Sequence, residues 1–316
     1  AIDTTTTTKT RISYAYDIRI FFQFLLDENP AFKDYKMTDF TVDVLDQIKA
    51  LDLEEYQEYL KVYQAGDKTE TNGERGLKRK ISALRSFYAY YYRREMIETN
   101  PTVLIDVPKI HDKSIIRLDT DEVALLLDYI EHCGDQLTGQ KRVYYEKNKE
   151  RDLAIVTLLL GTGIRVSECV GLDIEDVDFK NNGIKVTRKG GNEMVVYFGP
   201  EVEKALKRYL EVRENIIPLE GHEHALFYST QRKRIGIQAV ENLVKKYAGA
   251  ITTTKKITPH KLRSTYGTTL YQETGDIYLV ADVLGHRDVN TTKKHYAAMD
   301  DARRRKAATA VHLRED

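Results

Sequence analysis

The chain has 316 residues and a mass of 36.5 kDa, roughly twice the size of one ordinary domain, so two domains are expected. Lys+Arg and Asp+Glu balance at 49 each, which excludes attachment to a polyanion by bulk charge but leaves room for local basic patches. No apolar run approaches the roughly 18 residues of a membrane helix, and the Thr-rich start is too polar for a signal peptide. Two cysteines, Cys133 and Cys169, are too few for a disulfide framework and wrongly spaced for zinc, so a reducing, cytoplasmic setting is expected.

In chain order, Ile12, Tyr16, Ile20 and Phe24 recur at helical spacing and predict a helix that stops at Asn29-Pro30. A second helix is expected over Asp39–Leu60, from Val44, Leu45, Ile48, Leu53, Tyr56 and Leu60. After a polar loop from Gly66 to Gly76, a third runs from Leu77 to Met96, closed by Asn100-Pro101. No strand pattern is visible here, so residues 1–108 are expected as an all-helical domain, with 109–118 a linker around Pro108 and its charged neighbours. Residues 119–316 then form a second domain. Its predicted helices are Val123–Ile130 behind an Asp119-Thr120 cap, Lys149–Leu160, Glu201–Val212, Ile237–Tyr247, Pro259–Thr274, Ile277–Leu284 and Asp300–Val311. One β signal interrupts them: Ile184, Val186, Met194, Val196 and Phe198 alternate around a Lys189-Gly190-Gly191-Asn192 turn. The expected fold class is therefore mainly α, with a small β-hairpin in the second domain.

Charge is unevenly placed. Gly73–Arg94 holds seven Lys/Arg against Glu74 alone, and Gln231–Arg263 holds nine against Glu241 alone. A charge run is usually a solvated face, yet one such patch in each of two helical domains of a neutral chain also suits a clamp around a polyanion. The candidate contacts are Arg75, Lys78, Arg79, Lys80 and Arg85 in the first patch and Arg232, Lys233, Arg234, Lys255 and Lys256 in the second.

Four short stretches carry groups that could do chemistry. Thr258-Pro259 opens a helix and puts His260 and Arg263 on one face of its start, where unpaired N–H groups favour an anion; an ordinary capped turn with an ion pair looks the same. Gly161-Thr-Gly163-Ile-Arg165 ends one helix and opens another, with Glu168 placed to orient Arg165 or to make a common i,i+3 salt bridge. Lys189 sits at the hairpin tip, solvated or poised as a proton donor, since a lysine in a cationic site shifts its pKa readily. Leu284-Gly285-His286 ends a helix, and Tyr296 follows in a polar stretch where a core tyrosine is unexpected. With 21 tyrosines in the chain, count alone singles out none of them.

Taken in order, Gly-x-Gly-x-Arg-x-x-Glu, a hairpin Lys, His-x-x-Arg, Leu-Gly-His and a Tyr ten residues later resemble the signature of the tyrosine recombinase (phage integrase) family over about Lys149–Met299. Asn148–Leu153 and Val186–Gly191 look most like the Xer-type branch. One departure is Ser264, where the family often has His after the second Arg. The resemblance implies a helical core-binding domain followed by a mostly helical catalytic domain, closing as a clamp on DNA. It implies strand exchange through a 3′-phosphotyrosine, with Tyr296 as nucleophile, Arg165 and Arg263 on the non-bridging oxygens and Lys189 protonating the departing 5′-oxygen. His260 and His286 would bond the phosphate or shuttle a proton, with Glu168 in support. No metal, ATP or other cofactor is expected, because these cations neutralise the phosphate and the covalent intermediate conserves the phosphodiester's free energy. The implied partners are a double-stranded recombination site and a DNA-bound homotetramer docked through a C-terminal helix at about 300–316, with a DNA translocase or directionality factor as accessory and no membrane. The competing readings are a catalytically silent DNA-binding module, a type IB topoisomerase or telomere resolvase, and a helical scaffold with no nucleic-acid role. The recombinase reading requires Arg165 and Arg263 to converge in one pocket.

Overall fold

The computed structural model describes residues 7–111, 115–188, 190–285 and 289. The chain divides into two compact units, Ala1–Lys113 and Ser114–Asp316. Among the described residues no helix is long and apolar enough to cross a membrane.

The first unit contains α1 (Thr8–Glu28), α2 (Ala50–Tyr59), a hairpin of β1 (Val62–Ala65) and β2 (Lys68–Thr71), and α3 (Glu74–Arg93). The Thr7 hydroxyl accepts the Thr10 N–H to start α1, and Pro30 begins a short 3₁₀ turn where α1 stops. Helices α1 and α3 pack around an aromatic core of Phe21, Phe24, Phe32, Tyr56 and Tyr88. The Phe21 and Tyr56 rings meet edge-on at 5.0 Å, a geometry that satisfies the ring quadrupoles.

Two expectations are corrected here. The helix expected over Asp39–Leu60 is broken into 3₁₀ turns at Met37–Asp39 and Val42–Gln47, followed by α2. Ile48 is extended, and the Asp52 carboxylate accepts the Lys49 N–H at 2.7 Å, so a new helix is capped where the first was expected to continue. The first unit is also not all-helical. Val62 pairs with Thr71 and Ala65 with Lys68, leaving the two-residue turn Gly66-Asp67 with Gly66 at φ +63°. Strand β2 is exposed along its whole length, so no alternation of apolar residues marks it.

The second unit contains α4 (Thr120–His132), α5 (Gly139–Thr162), α6 (Val166–Gly171), β3 (Val177–Asp178), β4 (Gly183–Thr187), β5 (Glu193–Tyr197), α7 (Pro200–Arg213), α8 (Ile237–Ile251), α9 (Pro259–Thr274) and α10 (Ile277–Leu284). Its centre is the second half of α5, where every residue from Asp152 to Leu159 is buried, as a helix hydrophobic on all sides must be. Helices α4, α7 and α9 pack around α5. At the start of that buried stretch Asp152 accepts from Arg151 and from the Tyr247 hydroxyl at 3.0 Å, and Arg151 also donates to the Tyr228 carbonyl. The expected hairpin is present as β4 and β5, with Ile184, Val186 and Val196 buried, and β3 adds a short third antiparallel strand. At its inner end the second unit is tied to α9, as Leu118 is buried and its N–H donates to the Thr265 hydroxyl at 3.0 Å. Residues 300–316, expected as a docking helix, lie outside the described residues.

Candidate active site

Helix α5 ends in a left-handed residue, Gly163, at φ +62°. A side chain there would be strained, and its Cβ would also fall 2.3 Å from the Tyr266 ring and 3.0 Å from Leu284, so α9 and α10 approach α5 only because this residue is glycine. Gly163→Ala is therefore expected to destabilise the fold by about 2–4 kcal/mol, combining backbone strain with overpacking. The measurement is a urea midpoint that falls at constant m-value; an unchanged midpoint would contradict the crowding.

Two residues on, Arg165 caps α6. Its N–H donates to Glu168 Oε2 and its Nη1 to Glu168 Oε1, both at 2.8 Å. Glu168 is 6% exposed, so a buried carboxylate holds both the backbone and the guanidinium of Arg165 in an i,i+3 pair. Helix α9 begins with Pro259 behind the Thr258 cap, which leaves His260 exposed in the first turn and Arg263 buried in the second. Arg263 Nη1 donates to the Gly163 carbonyl and Nη2 to the Leu284 carbonyl.

The two arginines converge at the end of α10. Arg165 Nη2 lies 3.4 Å from the Gly285 carbonyl, next in the chain to the Leu284 carbonyl that Arg263 holds. A third guanidinium joins them: Arg188, at the exit of β4, donates through Nη2 to Val283 O at 2.6 Å and through Nη1 to Asp282 O at 3.4 Å. A helix leaves its last four carbonyls without intrahelical partners and carries partial negative charge at that end. The carbonyls of Asp282, Val283, Leu284 and Gly285 collect three cations here, the Asp282 carbonyl also accepting the Gly285 N–H at 2.8 Å. Like charges are thus assembled by backbone oxygens and by Glu168, an arrangement that can receive an anionic group. Arg188 was not singled out from sequence; the signal was its position beside Lys189 in a chain whose hairpin had been noted only for the lysine.

Lys189, His286 and Tyr296 lie outside the described residues. Among the described tyrosines, several are poor nucleophiles by environment. Burial pushes Tyr145 and Tyr209 up to about 12 and also raises Tyr56, Tyr88, Tyr247 and Tyr266, disfavouring the phenolate. Tyr266 matters most, because it stands one turn beyond Arg263 with its ring against Gly163.

The basic patches divide into exposed and committed charges. Arg75 and Lys78 on α3 are exposed, as are Arg232, Lys233 and Lys256 in the second unit. Arg79 is half exposed but pairs with the buried Asp17. Lys80 is 6% exposed, 3.0 Å from Asn72 Oδ1 and 4.0 Å from Asp17. Burial raises the Asp17 carboxyl and lowers the Lys80 ammonium, each opposed by its oppositely charged neighbour. Arg85 donates to the carbonyls of Thr102 and Ile105, and Arg234 to those of Val170 and Leu172 and to Asp173. Lys255 bridges Asp119 at 2.9 Å and Glu122 at 2.5 Å, and its hydrogen bonds hold both carboxyls below their usual range. Lys80, Arg85, Arg234 and Lys255 thus serve the fold through long-range pairings, so the cation count overstates what the surface offers.

The sequence pattern of the phage integrase family matches residues 117–303. The chain is 33% identical over 315 residues to tyrosine recombinase XerC of Caldanaerobacter subterraneus subsp. tengcongensis, covering 96% of this chain and 82% of that one. It is 34% identical over 308 residues to tyrosine recombinase XerS of Lactococcus lactis subsp. cremoris, covering 90% and 85%. Among solved structures, the XerH site-specific recombinase in a post-cleavage complex with a palindromic difH substrate shares the fold, with a TM-score of 0.66, 21% identity and coverage of 94% and 78%. With the arginine pair gathered at one helix end and relatives a third identical along nearly its whole length, the chain belongs to the phage integrase family of tyrosine recombinases.

Proposed function

We propose that this protein is a site-specific DNA recombinase of the Xer type, which cuts and rejoins duplex DNA through a 3′-phosphotyrosine. The observation that carries this is the meeting of Arg165 and Arg263 on the adjacent carbonyls Gly285 and Leu284, with Glu168 buried behind Arg165. Bound to the scissile phosphate, the two guanidinia hold its non-bridging oxygens, where charge grows as the phosphorus becomes five-coordinate. Tyr296 attacks, forming the Oη–P bond as the P–O5′ bond breaks. Lys189 gives its proton to O5′, while His260 and His286 bond the phosphate or carry the tyrosine's proton. The relatives support this through their names as tyrosine recombinases, and the XerH neighbour through its capture on a DNA substrate.

The partner is a DNA recombination site, clamped by the exposed cations Arg75, Lys78, Arg232, Lys233 and Lys256. The assembly is a homotetramer docked through residues 300–316, working in the cytoplasm, with a DNA translocase or directionality factor as its accessory. The test is a nicked suicide duplex carrying the site this protein selects from random-sequence DNA. A covalent adduct should form without metal or ATP, and peptide mapping should place it on Tyr296. Adduct absent, or attached elsewhere, would overturn the reading. Binding to the same duplex should weaken with salt with a log–log slope of about −0.9 per phosphate contacted, and a flat response would contradict the clamp.

A further inference from the structure

We propose that Arg188 is a positioning residue that registers the Lys189-bearing hairpin on the end of α10, and that it acts on protonation of the departing 5′-oxygen without touching DNA. The proposal rests on the reading of Lys189 as the leaving-group acid. Arg188 leaves β4 immediately before Lys189, and its guanidinium reaches across to the carbonyls of Asp282 and Val283 on a helix that is distant in sequence. The fit is close. A Cβ on Gly285 would fall 1.2 Å from Arg188 Nη1, so the guanidinium occupies the volume that any side chain at position 285 would take. The glycine of Leu284-Gly285-His286 therefore has a second duty besides its left-handed backbone at φ +62°: it is the seat of Arg188.

Two further observations separate this contact from a surface ion pair. Arg188 has no carboxylate partner among the described residues, and its buried Nε meets no hydrogen-bond acceptor there. Burial and the nearby Arg165 charge work against its cationic form, while the charges of Glu168 and Asp282 favour it. An arginine held in this way, beside another arginine and with one donor unsatisfied, is a poor stabiliser of a fold. It does lock a geometry. The contact joins the chain neighbours of two proposed catalytic groups, Lys189 after Arg188 and His286 after Gly285, so it anchors the chain at the point where it enters each of them. Proton donation depends steeply on such placement, and a misplacement of about 1 Å can cost roughly 10²-fold.

The test uses leaving-group chemistry. The selected nicked duplex is prepared with the ordinary 5′-oxygen, and again with sulfur bridging at that position. On cleavage of the sulfur duplex the P–S bond breaks and the thiolate departs without a proton. Arg188→Ala is expected to slow adduct formation on the oxygen duplex by roughly 10²-fold and to return within a few-fold of the unaltered protein on the sulfur duplex. Combined with Lys189→Ala, it should add no further slowing on the oxygen duplex, because Arg188 works through that lysine. Arg188→Lys, which keeps the charge but has one ammonium for two carbonyls, should show the same sulfur rescue and guards against a folding failure in the alanine variant. Equal slowing on both duplexes, additive loss with Lys189→Ala, or no slowing at all would overturn the proposal. If the unaltered protein forms no adduct with either duplex, it is the recombinase reading that fails.

Discussion

Replacing Tyr296 with Phe is expected to eliminate the covalent protein–DNA adduct while leaving DNA affinity and its salt dependence unchanged. The substitution deletes one oxygen. Among the proposed catalytic groups only Tyr296 carries a phenol, so the expected change is total loss and not a reduction in rate. An ordinary phenol with a pKa near 10 is about 0.1% ionised at neutral pH, so the nucleophile depends on the surrounding cations to favour its ionised form. The rival is Tyr266, whose ring lies against Gly163 and one turn from Arg263, but burial raises its pKa and works against that ionisation. Adduct formation on the nicked duplex, read on a denaturing gel beside a binding titration, checks this. An adduct that persists in Tyr296→Phe would remove Tyr296 from its role and bring Tyr266 forward.

Arg263→Ala is expected to have the second largest effect, and on two observables at once. In catalysis it removes one preorganised donor from the five-coordinate phosphorus, a loss of roughly 10²- to 10³-fold in cleavage rate. In the protein alone, the carbonyls of Gly163 and Leu284 lose the donors that Arg263 supplies. A buried acceptor left without a partner costs about 1–3 kcal/mol, so the thermal midpoint should fall as well. Arg263→Lys separates the two effects. One ammonium cannot hold two carbonyls in the fixed fork of a guanidinium, so part of the stability should return while cleavage stays low. Cleavage at the unaltered rate in a folded Arg263→Ala protein would mean that this side chain serves only to pin α5 to α10.

These effects trace back to elements that differ in how far the sequence revealed them. Helix α9 runs over Pro259–Thr274 and α10 over Ile277–Leu284, as expected, because each is punctuated at both ends. Pro259 and Asp276 mark the starts, and the left-handed glycines Gly275 and Gly285 mark the stops. Helix α5 was recognised only from Lys149, although it begins at Gly139. Its first turns bury little besides Tyr145 and Asn148, a stripe too narrow to register as amphipathic periodicity. The first-unit hairpin was missed for a related reason: it buries Tyr63 and almost nothing else, so the pairing rests on backbone hydrogen bonds that composition does not encode.

The order of chemical groups along the chain, and with it the family and the reaction, was legible without coordinates, because spacing between Gly, Arg, His and Tyr is a property of the sequence itself. Where helices begin and end was legible for the same reason wherever a cap residue writes the boundary locally. Which cations are committed to carboxylates elsewhere in the chain was decided only by the fold. Arg79 is drawn to Asp17, Arg234 to Asp173 and Lys255 to Asp119 and Glu122 by partners far away in sequence. The contact of Arg188 with the end of α10 likewise exists only in the folded chain. A charge can be counted from one residue, but its neutralisation depends on distance, and distance between remote residues exists only once the chain has packed.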